Sequence, residues 1–479
     1  MTFRPALRGK RVSVIGAARS GIAAASALAR LGAQVRLADS QPIEKIDAER
    51  MAAIEESGAE LVAGATPAQA IPEGTELVVT SPGVPRTAPV LQEAVRRRVP
   101  VWSEIELAYR ISCAPIVAIT GTNGKTTTTV LTAAMLQASG FDAVIAGNVS
   151  ADALKRTLVE AAFDTLDEAA PANRVLVAEI SSFQLEWVER FAPRAGILTN
   201  ITPDHLNRHS SFDEYVDAKA ALFAAQSPDD VAIFNRDDAA SRRVGERDLP
   251  GRKLWFTHGS LPPCDGPAAW VENGEVIVRL TEGGAATPVV AVADLPDSLP
   301  GEHSVSNVLA AASAALALGA APHAAAAAVR DFGGVAHRME IVQEIGGVRY
   351  INNSMCTNIA AAISSLNALD RPAVVIAGGA DKALDFGPLA PALLAHARHT
   401  VLIGSAADKM ETAFRAGGYD AISRAGSMAE AVNIARSIAS PGEAVLLSPA
   451  CASFDMFADF EARGAAFRNE VNALQERPT

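Results

Sequence analysis

Residues 116–129, Ile-Val-Ala-Ile-Thr-Gly-Thr-Asn-Gly-Lys-Thr-Thr-Thr-Thr, restrict the possible fold of this chain more than any other stretch. The β-branched apolar run 116–119 predicts a buried strand and 130–136 predicts a helix. Between them lie the turn Gly121-Thr122-Asn123-Gly124 and the pair Lys125-Thr126. Strand, glycine-rich loop, Lys-Thr and helix, in that order, build a cradle for a nucleoside triphosphate. Backbone N–H groups and the helix N-terminus face the phosphates, a lysine spans the β and γ oxygens, and a hydroxyl holds Mg2+. The eight-residue form of this loop begins with glycine, where this chain has Ile119, so the match is to the shorter Gly-Thr-Asn-Gly-Lys-Thr. A plain strand-to-helix turn would leave Lys125 unexplained. The pattern predicts ATP as a ligand.

A chain of 479 residues exceeds what one core supports and predicts roughly three domains. A hydrophobic fraction of 49% with 20% charged residues fits a globular protein. The balance of 42 basic against 54 acidic residues, net −12, argues against a nucleic-acid surface but leaves room for a local basic cluster around an anionic small molecule. Cys113, Cys264, Cys356 and Cys451 have neither zinc nor disulfide-framework spacing. The N-terminus lacks a signal pattern, and charges and prolines interrupt every long apolar run, so a cytoplasmic protein without membrane contact is expected.

Residues 11–15 predict a strand entering Gly16-Ala17-Ala18-Arg19-Ser20-Gly21, followed by an Ala-rich helix to about Arg30 and a strand over 34–37 ending at Asp39-Ser40. That is a βαβ unit with a glycine turn, the opening of a doubly wound sheet. Residues 76–80 predict a further strand running into Ser81-Pro82-Gly83. The central segment alternates strands at 175–178, 196–198 and 231–234 with helices, and 249–300 reads as hairpins and loops. A third alternation begins near Gly333-Gly334, with strands at 373–376, 400–403 and 444–447 forming another parallel sheet. The expected fold class is α/β in three domains: a Rossmann-like domain over 1–111, a P-loop ATPase-like domain over 112–334 and a second Rossmann-like domain over 335–479.

Glu179 closes the 175–178 strand beside the phosphate-loop strand, where a carboxylate would hold Mg2+; a helix-capping acid explains the segment alone equally well. His205 lies in the polar cluster 199–209 after the next strand, and single histidines are more often structural than catalytic. Lys219, in an Ala-rich helix beginning near Phe212, reads by composition as a surface lysine.

With these strings in view, the chain resembles the Mur ligase family from end to end. Gly121–Thr126, Asn200-Ile201-Thr202-Pro203-Asp204-His205-Leu206, Gly301-Glu302-His303 through Asn307, and His337-Arg338-Met339-Glu340 carry the resemblance. Glu179-Ile180-Ser181-Ser182-Phe183-Gln184-Leu185 and 447–455 look like the branch that adds glutamate. The resemblance implies a monomeric ATP-dependent amide ligase of peptidoglycan precursor synthesis. It would activate UDP-N-acetylmuramoyl-L-alanine as an acyl phosphate and add D-glutamate. It further implies that Gly121, Thr122, Asn123, Gly124, Lys125, Thr126 and Thr127 bind ATP together with Asn235 and Arg338. Thr126, Glu179, His205 and Lys219 would serve two Mg2+ ions, Lys219 as a carbamate, with Lys125, His205 and Lys219 acting in catalysis. Ser20, Ser40, Gly83 and Asn148 would face the UDP substrate, and Ser453 and Phe460 the glutamate.

The chain departs from the family pattern where Asp-Ser-Lys-Ala-Thr-Asn becomes Asn353-Ser354-Met355-Cys356-Thr357-Asn358, which removes one charge of each sign. Asn207 replaces an acid, and Gly147-Asn148-Val149-Ser150 lacks a second glycine. These changes bear on amino-acid recognition, so L-glutamate stands as an alternative substrate. Folylpolyglutamate synthesis, a Mur ligase adding another amino acid, a dinucleotide-dependent oxidoreductase and a catalytically silent nucleotide-binding regulator are the rival readings. The oxidoreductase leaves Lys125 and Glu179 without a role, and the regulator conflicts with the intact Lys125, Glu179, His205 and Lys219.

Overall fold

The computed structural model describes residues 7–149, 156–205, 208–259, 266–381 and 384–474. Three sheets organise them. The first contains β1 (Arg11–Ile15), β2 (Gln34–Ala38), β3 (Glu60–Val62), β4 (Leu77–Thr80) and β5 (Val101–Ser103) in the order β3-β2-β1-β4-β5, with every neighbouring pair parallel. All four residues of β4 are buried, as expected of a strand covered by helices on both faces. At the end of β1 the chain turns at Gly16 (φ 94°), and the following Arg19–Arg30 helix places Gly21 so close to the Gly16 carbonyl that a Cβ would collide with it.

The second sheet contains β6 (Ile116–Thr120), β7 (Asp142–Gly147), β8 (Arg174–Glu179), β9 (Ala195–Leu198), β10 (Val231–Asn235), β11 (Arg252–Phe256), β12 (Ala268–Glu272), β13 (Glu275–Arg279) and β14 (Thr287–Ala291). Its order is β14-β13-β12-β11-β10-β9-β6-β8-β7. The strands from β7 to β12 are parallel; β12–β13 and β13–β14 are antiparallel. Asn273 and Gly274, at φ 50° and 78°, close the β12–β13 hairpin, a hairpin of the kind expected for the 249–300 segment. The phosphate-loop helix runs Lys125–Ala138 and so begins well before the expected residue 130.

The third sheet contains β15 (Glu340–Ile345), β16 (Val348–Asn352), β17 (Ala373–Gly378), β18 (Ala397–Ile403), β19 (Ile422–Arg424) and β20 (Ala444–Leu447), ordered β15-β16-β20-β17-β18-β19. It is not wholly parallel as the sequence suggested. Gly346 and Gly347, at φ 59° and 76°, close a two-residue hairpin that sets β15 antiparallel to β16. The remaining pairs are parallel. One compact unit holds the first two sheets and Ser306–Val329, and a second holds the third sheet and Val292–Val305. Among the described residues no helix is long and apolar enough to cross a membrane.

Candidate active site

β6 pairs with β8 on one side and β9 on the other, in a register that sets Ile119 opposite Glu179 and Thr120 opposite Leu198. The loops leaving their carboxyl ends therefore emerge side by side, where open α/β sheets bind ligands. Gly121 (φ 151°) and Gly124 (φ 81°) shape the loop after β6, and a Cβ on either would collide with the Thr199 hydroxyl or the Asn307 carboxamide. Asn200 and Thr199 hold this loop from the β9 side. The Asn123 N–H donates to Asn200 Oδ1 at 2.9 Å, and the Thr199 hydroxyl donates to the Asn123 carbonyl at 2.7 Å. Lys125 Nζ donates to the Thr122 carbonyl at 2.9 Å, folding the ammonium back over the loop.

Thr126 and Glu179 are both buried, and the Thr126 hydroxyl donates to Glu179 Oε2 at 2.6 Å. A hydroxyl and a carboxylate meeting beside a phosphate loop form a set of hard oxygen donors suited to Mg2+. That ion usually takes few protein ligands and completes its shell with water and phosphate oxygens. The described residues contain no cluster of three or more His, Cys, Asp or Glu side chains preassembled for a metal.

Lys219 is not the surface lysine its composition suggested: its side chain is 1% exposed. Phe212, Tyr215, Val216, Lys219 and Ala220 recur at i, i+3, i+4, i+7 and i+8 along the Phe212–Ala220 helix, so Lys219 falls on the inward stripe. Its Nζ donates to the Gly121 carbonyl at 2.8 Å and lies 4.5 Å from the centre of the Tyr215 ring. Burial, and after it the charge of Lys125, holds the ammonium well below the usual lysine range, while Asp204 and Glu179 pull the other way. Tyr215 also stands 6.3 Å from the His205 ring, so His205 and Lys219 flank one aromatic side chain. His205 sits at φ 54°, a costly conformation for a non-glycine residue, with its backbone N–H bonded to Asp204 Oδ1 at 2.8 Å.

His209, buried in the same loop, is a residue the sequence did not single out. Its Nε2 lies 3.0 Å from the Ser182 hydroxyl, and its ring packs on Phe183 and Tyr215. Burial lowers its pKa, which favours the neutral ring. Arg208 pairs with Glu186 at 2.9 Å and donates to the carbonyls of Pro82 and Val84, tying the loop after β4 to the second sheet. Ser20, Ser40 and Gly83 follow β1, β2 and β4, three neighbouring strands, and lie at one edge of the first sheet. Asn148 follows β7, with its N–H bonded to the Glu179 carbonyl at 2.8 Å. Asn235 ends β10, where its amide donates to the Thr199 carbonyl at 2.8 Å and accepts from the Asp237 N–H at 2.9 Å. One N–H and one lone pair of that amide are left for a ligand. Thr127 is buried one residue beyond the Thr126–Glu179 pair.

In the second unit, Arg338 lies between His337 and Met339, at φ 62° and 45°, and its Nη2 reaches Met355 Sδ at 3.0 Å. Asn353 Oδ1 accepts from the Met339 N–H at 3.3 Å, so the two positions of the 353–358 string that lose a charge both contact the same 337–339 segment. Ser453, buried, follows β20, and Phe460 opens the Phe460–Ala473 helix with its ring 6.4 Å from that of His337. Ser150, Leu206, Asn207 and Lys382 lie outside the described residues.

Three family models cover the chain in order: the Mur ligase MurD-like N-terminal domain over residues 10–103, the Mur ligase middle domain over 119–315, and the Mur ligase glutamate ligase domain over 337–451. A UDP-N-acetylmuramoylalanine–D-glutamate ligase of Pelotomaculum thermopropionicum is 41% identical over 98% of this chain and 98% of its own length. The chain belongs to the Mur ligase family. Ligases of the same description from Desulfitobacterium hafniense and Acidobacterium capsulatum are each 40% identical over 98% of this chain, covering 99% and 97% of their own lengths. The UDP-N-acetylmuramate-alanine ligase of Thermotoga maritima shares the fold at 18% identity and a TM-score of 0.57, over 97% of this chain and 99% of its own. A pseudomurein peptide ligase of Methanothermus fervidus does so at 18% identity and 0.56, over 97% and 100%. Membership in the Mur ligase family brings with it the three-domain α/β architecture and the use of ATP with Mg2+.

Proposed function

We propose that this chain ligates D-glutamate to UDP-N-acetylmuramoyl-L-alanine at the expense of ATP, releasing ADP and phosphate, in peptidoglycan precursor synthesis. The observation that carries the reading is the buried Thr126–Glu179 pair beside the Gly121–Lys125 loop, with Lys219 hydrogen-bonded to the same loop. A carboxylate is a poor acyl donor. Transfer of the γ-phosphoryl group to the muramoyl-alanine carboxylate gives an acyl phosphate, the glutamate amine attacks its carbonyl, and phosphate leaves. Negative charge accumulates in both steps, so fixed cations and N–H donors lower the barriers.

In this scheme Lys125 neutralises the transferring phosphoryl group, and the backbone of residues 121–127 cradles the phosphates. Asn235 meets the adenine and Arg338 the nucleotide. Thr126 and Glu179 hold one Mg2+, and His205 with Lys219 a second; the metal supplies Lewis-acid neutralisation of the phosphate oxygens. The depressed ammonium supports carbamylation of Lys219, because CO2 adds only to a neutral amine: R–NH2 + CO2 gives R–NH–COO− and a proton. The product is an anion where a cation would repel Mg2+. Ser20, Ser40, Gly83 and Asn148 serve the UDP-bearing substrate, and Ser453 and Phe460 serve glutamate. The domains run 1–111, 112–334 and 335–479, and the active form is a cytoplasmic monomer.

Omission assays of phosphate release test the reading. Release that requires ATP, Mg2+, UDP-N-acetylmuramoyl-L-alanine and glutamate together is expected. Undiminished release without the muramoyl substrate or without any amino acid contradicts it.

A further inference from the structure

Arg208 follows the turn that carries His205, beyond β9 of the second sheet, yet its side chain reaches a loop of the first. Its guanidinium meets Glu186 as a fork, Nε to Oε1 at 3.0 Å and Nη2 to Oε2 at 2.9 Å. The two side chains are only 14% and 8% exposed. The rest of the fork faces three consecutive carbonyls of the loop after β4. Nη2 is shared with Pro82 and Val84 at 3.3 and 2.9 Å, and Nη1 donates to Gly83 at 3.4 Å. That loop is braced on the turn after β1, where the Ser81 hydroxyl donates to the Gly16 carbonyl at 2.9 Å.

The same residue also holds His205. The Arg208 and His209 N–H groups both donate to the His205 carbonyl, at 2.9 and 3.0 Å, closing the turn in which His205 adopts φ 54°. The guanidinium carbon stands 4.9 Å from the centre of the Phe183 ring, and Phe183 meets the His205 ring edge-on at 4.9 Å. One side chain thus touches the 82–84 loop and the ring that packs on His205. Fastening the two sheets does not require it, because Glu106 already accepts the N–H groups of Glu189, Arg190 and Phe191. A largely buried ion pair brings little net stability over apolar side chains of similar volume, whereas a carboxylate-bound fork fixes direction as well as distance. A trans peptide aims its C=O and N–H in opposite directions, so drawing the Pro82 carbonyl to Arg208 turns the Gly83 N–H away from it.

We propose that Arg208 is a positioning residue through which occupancy of the loop assigned to the UDP-bearing substrate is transmitted to His205. The inference rests on the ligase reading above, which places Gly83 at that substrate and His205 at a metal. A substrate bonded to the Gly83 N–H shifts the 82–84 carbonyls, and the fork held by Glu186 passes the shift to Phe183 and the His205 turn. Coupling between sites is reciprocal, so Mg2+ and nucleotide on the second sheet should tighten the substrate on the first.

Calorimetric titration of the full chain with UDP-N-acetylmuramoyl-L-alanine, with and without Mg2+ and the β,γ-methylene analogue of ATP, tests this. If the unsubstituted protein binds the muramoyl compound under neither condition, the ligase reading and the inference fall together. If it binds, Mg2+ with the analogue should lower its Kd at least about fivefold, and Arg208→Met should bring that factor close to one. The same variant should bind the analogue alone within about twofold of the unsubstituted protein, which shows that its nucleotide loop is intact. A tightening factor that Arg208→Met leaves unchanged, or that the unsubstituted protein lacks, overturns the inference alone. Should Arg208→Met not fold or not bind the muramoyl compound, Glu186→Gln keeps the shape of the turn and removes the charge that aims the guanidinium. A reduced factor in Glu186→Gln supports the inference, and an unchanged one contradicts it.

Discussion

Lys125 and Lys219 illustrate how differently two lysines in one site can be tuned. Lys125 is half-buried and folds onto the loop it serves. Replacement by alanine removes the phosphoryl neutralisation proposed for it, and kcat should fall by about 10²–10³-fold, measured as phosphate release with all substrates saturating. Retention of more than half the activity would remove Lys125 from the proposed chemistry. Lys219 is buried, bonded to a carbonyl and stripped of much of its basicity, which suits it to carry CO2 rather than a proton. Lys219→Ala should lose most activity, with bicarbonate giving no rescue and short-chain carboxylic acids partial rescue. Electron density for a carboxylate on Nζ would be the direct observation, and a bare amine in the Mg2+-bound state would contradict it. The Gly-Lys-Thr string announced Lys125, whereas Lys219 was hidden by its composition. The signal that finds it is position, because a lysine on the apolar stripe of an amphipathic helix must be buried. Arg463 follows the same rule: Phe460, Arg463, Gly464, Phe467 and Val471 form the inward stripe of their helix.

At the scale of elements, the segment Glu104–Ile111 shows how the first sheet is fastened to the second. Glu106 accepts the N–H groups of Glu189, Arg190 and Phe191, closing the 3-10 turn at Gln184–Trp187, and Arg110 pairs with it at 2.6 Å. Glu104 is buried too; its Oε1 accepts from Gln184 at 2.7 Å, while among the described residues Oε2 has no hydrogen-bond partner. Burial pushes its carboxyl up to about 7 from an ordinary 4.5. The folded protein thus holds a proton that the unfolded chain releases, and this group's contribution to stability declines as pH rises from about 4.5 to about 7. Glu104→Gln removes the titration. Its melting temperature should match or fall slightly below the native value near pH 5 and exceed it at pH 8, by a margin equivalent to at most about 3 kcal/mol. A native–variant difference that does not change with pH would show that Glu104 is ionised in the fold. The βαβ units were legible because parallel strands buried on both faces read as unbroken apolar runs, as in β4, β6 and β20. The β15–β16 hairpin was not, because its alternation is half-exposed and its Gly346-Gly347 turn looked like one more loop.

For the whole molecule, the order of the three sheets along the chain matches the order of the three family domains, and the residues proposed for metal and UDP substrate, with every one proposed for the nucleotide except Arg338, belong to the unit that holds the first two sheets. The residues proposed for glutamate belong to the unit that holds the third, where Asn353 and Met355 remove one charge of each sign from the family string. Chemistry was therefore easier to infer from sequence than specificity: a phosphate loop is written in consecutive residues, while the proposed glutamate site draws on the ends of separate strands far apart in the chain. The central claim is that this assembly selects D-glutamate. The most direct test is the kcat/KM of phosphate release with each glutamate enantiomer, at saturating ATP, Mg2+ and UDP-N-acetylmuramoyl-L-alanine. A higher value for D-glutamate is the expected result, and a higher value for L-glutamate would contradict the account.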